Sequence, residues 1–300
     1  MVEKLSKVKS IIMNKTGTVT EKEFRLVGIF PKSISEAQFV SIITSIESKS
    51  NHPIALALGA DSISEPEIEF KEIQGKGIVG LYRNNEIIAG NAKLLSDYQI
   101  KCDVPEIYGT AVHLAVNSNY CGYMVFENKT RTGTYDVIEK IRDCGIDSLY
   151  MLSCDLQSTV QPISQALGFN VFKSELDNES KISSVNYIVE NKYEGSTVAY
   201  VGDIGEKIPY SCADISMCLG NDDEADVCIN DEGISALPDV LQKAKWVYRL
   251  QKINLYISLI SKCLVLFLLL LGVNSAIPAA VILILCAIFT FVDLHERIRL

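Results

Sequence analysis

Two apolar runs near the end of the chain constrain everything that precedes them. Residues 253–273 and 277–292 are predominantly apolar on all helical faces, with Lys262 the one charged residue, and Gly272, Asn274 and Pro278 mark an uncharged turn between them. The first run is long enough to cross a bilayer; the second needs its flanks. Lys243, Lys245, Arg249 and Lys252 precede the pair, and Arg297 and Arg299 follow it. That bias places both ends on the cytoplasmic side of a multi-pass hairpin in the cell membrane, with the bulk of the chain cytoplasmic. The 300 residues leave room ahead of the hairpin for two water-soluble domains. A net charge of -9 excludes nucleic acid as the main partner, because phosphate binding needs a basic face. The nine cysteines show no C-x-x-C pair, which reads as reduced thiols rather than a disulfide framework or a zinc finger.

Ahead of the hairpin, residues 8–13 read as a buried strand that ends on a polar tip, Asn14-Lys15-Thr16-Gly17-Thr18. Ser35 and Gln38 form a capping box before Phe39, Ile42, Ile43 and Ile46 at helical spacing. A second helix is expected from the turn at residues 50–58. Residues 73–80 and 81–88 read as antiparallel strands around Asn84-Asn85, and 110–116 with 122–126 as another hairpin. Residues 21–125 are therefore expected to form an α+β insert. From Thr130 the pattern alternates: helix 135–144, strand 148–152, helix 160–167, strand 197–201. This predicts a doubly wound parallel sheet, with Asn14, Ser153 and Asp203 at one rim, where open α/β sheets bind ligands.

The strand ending NKTGT, the segment Ser153-Cys154-Asp155, Lys181, and the strand ending Gly202-Asp203 occur in an order that resembles the haloacid-dehalogenase-like fold, and more closely the heavy-metal branch of P-type ATPases, zinc/cadmium-like. The resemblance implies a phosphorylation domain (residues 1–20 and 126–245), a nucleotide-binding domain (21–125), two transmembrane helices (250–294) and a cytoplasmic tail (295–300). The family's first motif is DKTGT, whose Asp takes the phosphate from ATP; here Asn14 holds that position. Thr16, Ser153 and Lys181 match the loop hydroxyl, the TGD hydroxyl and the charge-neutralising lysine. Asp203 matches a Mg²⁺ ligand, with Glu206 as a possible helper. Lys207 falls at another ligand position, where its charge opposes Mg²⁺. Asn128 and Arg131 match the D-x-x-R segment with the Asp replaced.

In the insert, Glu47 and His52 resemble the E-x-x-S-x-H-P signature, with His52 stacked on adenine and Glu47 near the purine edge. Gly75 and Gly77 resemble the GxG loop, and Gly90 with Asn91 a later nucleotide contact. Lys262 resembles the intramembrane lysine of the zinc/cadmium group; a lysine at mid-span costs roughly 3 kcal/mol and calls for a partner. With the first motif this near Met1, the expectation is a chain without an actuator domain or the preceding membrane helices. The expectation is a truncated pseudoenzyme that binds ATP or ADP without forming a phosphoenzyme and assists a separate transmembrane transporter subunit or a full-length P-type ATPase. Its rivals are the ATP-hydrolysing half of a split heavy-metal pump, a phosphatase on the same fold, and a gene remnant.

Overall fold

The computed structural model of the chain describes residues 1–48, 53–59, 69–73, 75–105, 109–204, 211–229, 233–271, 281–282 and 284. It divides into two compact units, Val8–Pro238, and Met1–Lys7 with Asp239–Leu300. The described elements run α1 (Val2–Ser6), β1 (Val8–Asn14), β2 (Thr20–Pro31), α2 (Glu36–Glu47), α3 (Pro53–Ala57), β3 (Glu69–Ile73), β4 (Gly77–Tyr82), β5 (Asn85–Gly90) and α4 (Ala92–Asp97). They continue with β6 (Thr110–Val116), β7 (Asn119–Thr130), α5 (Thr134–Asp143), β8 (Ser148–Leu152), α6 (Gln157–Ala166), β9 (Val171–Lys173), α7 (Asn178–Glu190), β10 (Thr197–Asp203), β11 (Ile215–Leu219), β12 (Val227–Ile229) and α8 (Leu237–Leu270).

A six-stranded parallel sheet lies in the order β12-β11-β10-β1-β8-β9. Ile11, Ile12 and Met13 are fully buried, which is why β1 is an unbroken apolar run: a central parallel strand is covered on both faces. Because β1 sits between β10 and β8, the chain order reverses there. That reversal opens a crevice beyond the carboxyl ends of the strands. The register sets Met13 beside Val201 and Asn14 beside Leu152, so Asn14, Ser153 and Asp203 reach the same rim.

The second sheet is antiparallel, β2-β7-β6-β5-β4-β3. The capping box at Ser35 and Gln38 is present at the start of α2. Phe39, Ile43 and Ile46 from α2 pack with Ile54 from α3 against Leu114, Met124 and Phe126. Leu94 and Leu95 from α4 pack with Ile88 and Ala115. The β4–β5 and β6–β7 hairpins each have two consecutive residues at positive φ, Arg83-Asn84 and Asn117-Ser118, the geometry of a type I′ turn.

Some elements differ from the sequence reading. Residues 73–80 are not one strand: Ile73 ends β3, Lys76 N–H donates to Ile73 O at 2.9 Å, and Gly77 opens β4. Gly75 lies in the hairpin turn, and Gly77 in the strand that follows it. The turn expected at Asn84-Asn85 lies one residue earlier, with Asn85 in β5. Strand β2 is absent from the reading because its first half, Thr20 to Arg25, is charged and shows little apolar alternation. The strands β9 and β12 have three residues each, too short for a periodicity.

In the other unit, Tyr248 of α8 donates to Glu3 of α1 at 3.3 Å, and Lys252 Nζ lies 4.6 Å from the Tyr248 ring centroid. Among the described residues, one helix, residues 233–268 with its leading turn, is long and apolar enough to cross a membrane. It begins well ahead of the apolar run and carries the run forward without a break. The second apolar run lies almost wholly outside the described residues.

Candidate functional site

At the rim, β1 hands over to the wound turn Lys15–Val19. Gly17 takes φ +78° there, and a Cβ on it would lie 2.6 Å from Asp203 Oδ2. Only glycine meets both demands, so the loop and the end of β10 can touch. Asn14 is 9 % exposed. Its Oδ1 accepts from Lys15 N–H at 3.0 Å and from Lys181 Nζ at 3.3 Å, and its Nδ2 donates to Thr16 O at 3.1 Å. The contacts with Lys15 N–H and Thr16 O fix which end of the amide is which.

Asp155 is the other hub. Its Oδ2 accepts from Lys15 Nζ at 2.7 Å, Ser153 Oγ at 3.0 Å and Thr16 Oγ1 at 3.1 Å. Burial pushes its carboxyl up, but the Lys15 charge and these hydrogen bonds outweigh that and hold it below the usual carboxylate range. Ser153 and Thr16 thus meet through Asp155.

Asp203 Oδ1 accepts from Ile204 N–H at 2.8 Å, and its Oδ2 lies 2.5 Å from Lys22 Nζ. Glu206 and Lys207 lie outside the described residues. Arg131 donates to Gly17 O at 2.9 Å and its N–H to Val19 O at 3.1 Å, so it braces the loop. Asn128 Nδ2 approaches the carbonyls of Glu21, Lys22 and Glu23 at 3.4, 3.3 and 3.5 Å, long contacts shared by one NH₂.

The described nucleotide residues lie in the antiparallel part of the fold, in two places. Glu47, at the end of α2, is 5 % exposed; burial raises its carboxyl to about 7, helped by the charge of Glu72. His52 lies outside the described residues. Gly75, Gly77, Gly90 and Asn91 come together. Asn91 caps α4 by accepting from Leu94 N–H at 3.0 Å, and its Nδ2 donates to Gly75 O at 2.9 Å. Gly77 and Gly90 are opposed on neighbouring strands, and a Cβ on Gly77 would lie 2.3 Å from Ala89 O. The fold itself therefore demands a glycine at 77, whereas a Cβ on Gly75 would meet nothing within 4 Å. Lys262 lies on α8, in the other unit.

Three side chains at the rim have roles that their place in the sequence does not announce. Lys15 and Asp155 stood inside the motifs but carried no role of their own. Lys22 left no signal, because an isolated lysine at the start of a charged strand looks like any solvated side chain.

Comparison with known proteins places these observations. A family profile described as haloacid dehalogenase-like hydrolase matches residues 8–209. The chain is 29 % identical over 275 residues to a zinc-transporting ATPase of Synechocystis sp., covering 88 % of this chain and 38 % of the relative. It is 29 % identical over 290 residues to a cadmium, zinc and cobalt-transporting ATPase of Helicobacter pylori, covering 92 % and 42 %. The chain thus spans about two fifths of the length of these relatives. Among solved structures, a zinc-transporting PIB-type ATPase in the E2.Pi state superposes with a TM-score of 0.66 at 21 % identity, over 96 % of this chain and 49 % of that one. The catalytic domain of the CPx-ATPase CopB-B, studied upon nucleotide binding, superposes with a TM-score of 0.62 at 23 % identity, over 81 % and 91 %. The strand-end rim, the inserted antiparallel sheet and the family match agree: this chain belongs to the haloacid dehalogenase-like hydrolase family and is similar to the C-terminal catalytic part of heavy-metal P-type ATPases.

Proposed function

We propose that this chain holds adenine nucleotide without forming a phosphoenzyme, and does so in the service of a membrane partner. The observation that carries the reading is Asn14. A carboxamide stands where the loop presents its reactive group, its oxygen accepting two hydrogen bonds and its nitrogen donating a third. A neutral amide is a poor nucleophile toward phosphorus, so the loop is suited to cradle a phosphate and unsuited to accept it. In the antiparallel part, Gly75 stands in the turn before β4, in open space beside the capped start of α4, and Glu47 is buried at the end of α2.

The membrane part of the reading is supported by α8 and by the charge bias around the two apolar runs, which favour a cytoplasmic bulk of the chain. Lys262, deep in the first run, calls for a counter-charge that a second chain would bring. The partner is a separate transmembrane transporter subunit or a full-length P-type ATPase, handling the divalent heavy metals that the relatives' names record.

The test is calorimetric titration of ATP into the full chain in detergent, with and without Mg²⁺, together with exposure to γ-labelled ATP. The reading expects weak binding that Mg²⁺ does not strengthen, its loss in His52→Ala, and no acid-stable, hydroxylamine-sensitive label. The rival, an ATP-hydrolysing half of a split pump, draws on the Asp155 carboxylate 3.1 Å from Thr16 Oγ1; covalent label would establish that rival and overturn the reading.

A further inference from the structure

Among the described residues, the rim has few oxygen donors left for a divalent cation. Mg²⁺ takes oxygen donors at about 2.0–2.1 Å in octahedral array. Asn14 Oδ1 already accepts two hydrogen bonds, and Asp155 Oδ2 accepts three. Asp203 spends Oδ1 on Ile204 N–H and Oδ2 on Lys22 Nζ. Among the described residues, no three His, Cys, Asp or Glu side chains gather where they could hold a metal ion. These residues do not fit a divalent ion.

We propose that the Lys22 ammonium stands in for that ion, so that the rim receives a phosphate-type dianion without metal. The inference rests on the reading of this rim as a phosphoryl site and adds the residue that makes it metal-free.

Position comes first. Asp203 Oδ2 is pressed against Gly17 of the wound turn, so the cation it holds sits beside the loop that follows Asn14. The second observation is how Lys22 gets there. The pairing of β2 with β7 shifts register between Thr20 and Phe24, which takes residues 21–23 out of the ladder. Such an irregularity re-aims a side chain. The carbonyls of all three residues face Asn128 Nδ2, a group that an aspartate could not supply, since a carboxylate only accepts. Asn128 and Lys22 thus form one local arrangement. The third observation is charge. The described rim holds four cations, Lys15, Lys22, Lys181 and Arg131, against two carboxylates, Asp155 and Asp203. Lys15 and Lys22 each face one carboxylate, and the excess of two positive charges suits a dianion.

Mn²⁺, followed by its free-ion paramagnetic resonance signal, reports on the site with the full chain in detergent. The wild-type and Asp203→Asn proteins are expected to give the same Mn²⁺ isotherm. Lys22→Ala is expected to add one site, lost again in Lys22→Ala/Asp203→Asn, while Lys22→Arg behaves as wild type. In EDTA, ATP affinity is expected to fall about tenfold in Lys22→Ala and to recover with Mg²⁺. A wild-type Mn²⁺ site abolished by Asp203→Asn, or a Lys22→Ala protein with no added site, would overturn the inference. The Mn²⁺ arm contains no nucleotide, so a chain that fails to bind ATP sinks the function proposed above while leaving this inference tested.

Discussion

Lys15 and Asp155 form a buried ion pair, Nζ to Oδ2 2.7 Å, between positions 140 residues apart in sequence. The lysine side chain is 3 % exposed and the aspartate 21 %. Through it the loop after β1 is tied to the loop after β8, and Thr16 and Ser153 donate to the same carboxylate oxygen. This makes Asp155 a structural keystone of the rim.

Asp155→Ala should therefore destabilise the protein by about 3–5 kcal/mol, because it leaves a buried ammonium with no counter-charge. Lys15→Met combined with Asp155→Leu should cost less than Asp155→Ala alone. Chemical denaturation at neutral pH measures both. The Asp155 carboxyl is held below its ordinary value, so its contribution is present above the unfolded value of 3.8 and is lost as pH falls through the lower folded value. A wild-type protein whose acid denaturation matches that of Asp155→Asn would contradict this.

Glu47 has the opposite sign. Its ordinary value of 4.5 is raised to about 7 in the fold, so the folded state favours the protonated form. Stability is full below pH 4.5 and declines as pH rises to about 7, by roughly 3 kcal/mol for a shift of that size. Glu47→Gln should flatten this slope. Denaturant midpoints between pH 4.5 and 7.5 are the measurement, and equal slopes in the two proteins would refute it.

His113 in β6 provides the complementary test. It is 2 % exposed, its Nδ1 lies 3.0 Å from the Tyr120 hydroxyl, and burial lowers it from 6.5 to about 4. The neutral ring is favoured, so stability is present above pH 6.5 and is lost as pH falls toward 4. His113→Phe should remove that acid-side slope. Titration by NMR of the imidazole would show the lowered value directly; an ordinary value near 6.5 would count against it.

Gly75→Ala and Gly77→Ala separate two kinds of glycine. At Gly75 the added methyl meets nothing, and only the positive φ is penalised, by about 1 kcal/mol. At Gly77 the methyl would lie 2.3 Å from Ala89 O and 2.5 Å from Gly90 Cα, so β4 and β5 must part. The expected loss is greater by several kcal/mol. Thermal unfolding ranks the pair, and equal losses would show that the strands have room. A fall in ATP affinity confined to Gly75→Ala would support the nucleotide reading of that loop.

Much of the fold was legible in local patterns. The apolar run before Asn14, the capping box at Ser35, the alternation of helices and strands after Thr130 and the hairpin at Asn117-Ser118 all depend on residues a few positions apart. Strand β2 leaves no local signature because its charged start shows no period. The tight Gly75–Lys76 turn reads as strand interior because a short Gln-Gly-Lys-Gly stretch between Ile73 and Ile78 does not break the apolar pattern clearly.

The sequence alone determined which side chains stand at the strand ends, Asn14 among them, because strand, tip and turn are written consecutively. Tertiary structure alone decided what those side chains do to one another. The register of β1 between β8 and β10 brings Asn14, Asp155 and Asp203 to one rim. The irregular register at the start of β2 sends Lys22 onto Asp203, and the opposed glycines of β4 and β5 claim Gly77 for the sheet. A pairing across the sheet leaves no mark on the residues next to it in sequence, since register is a property of two strands together.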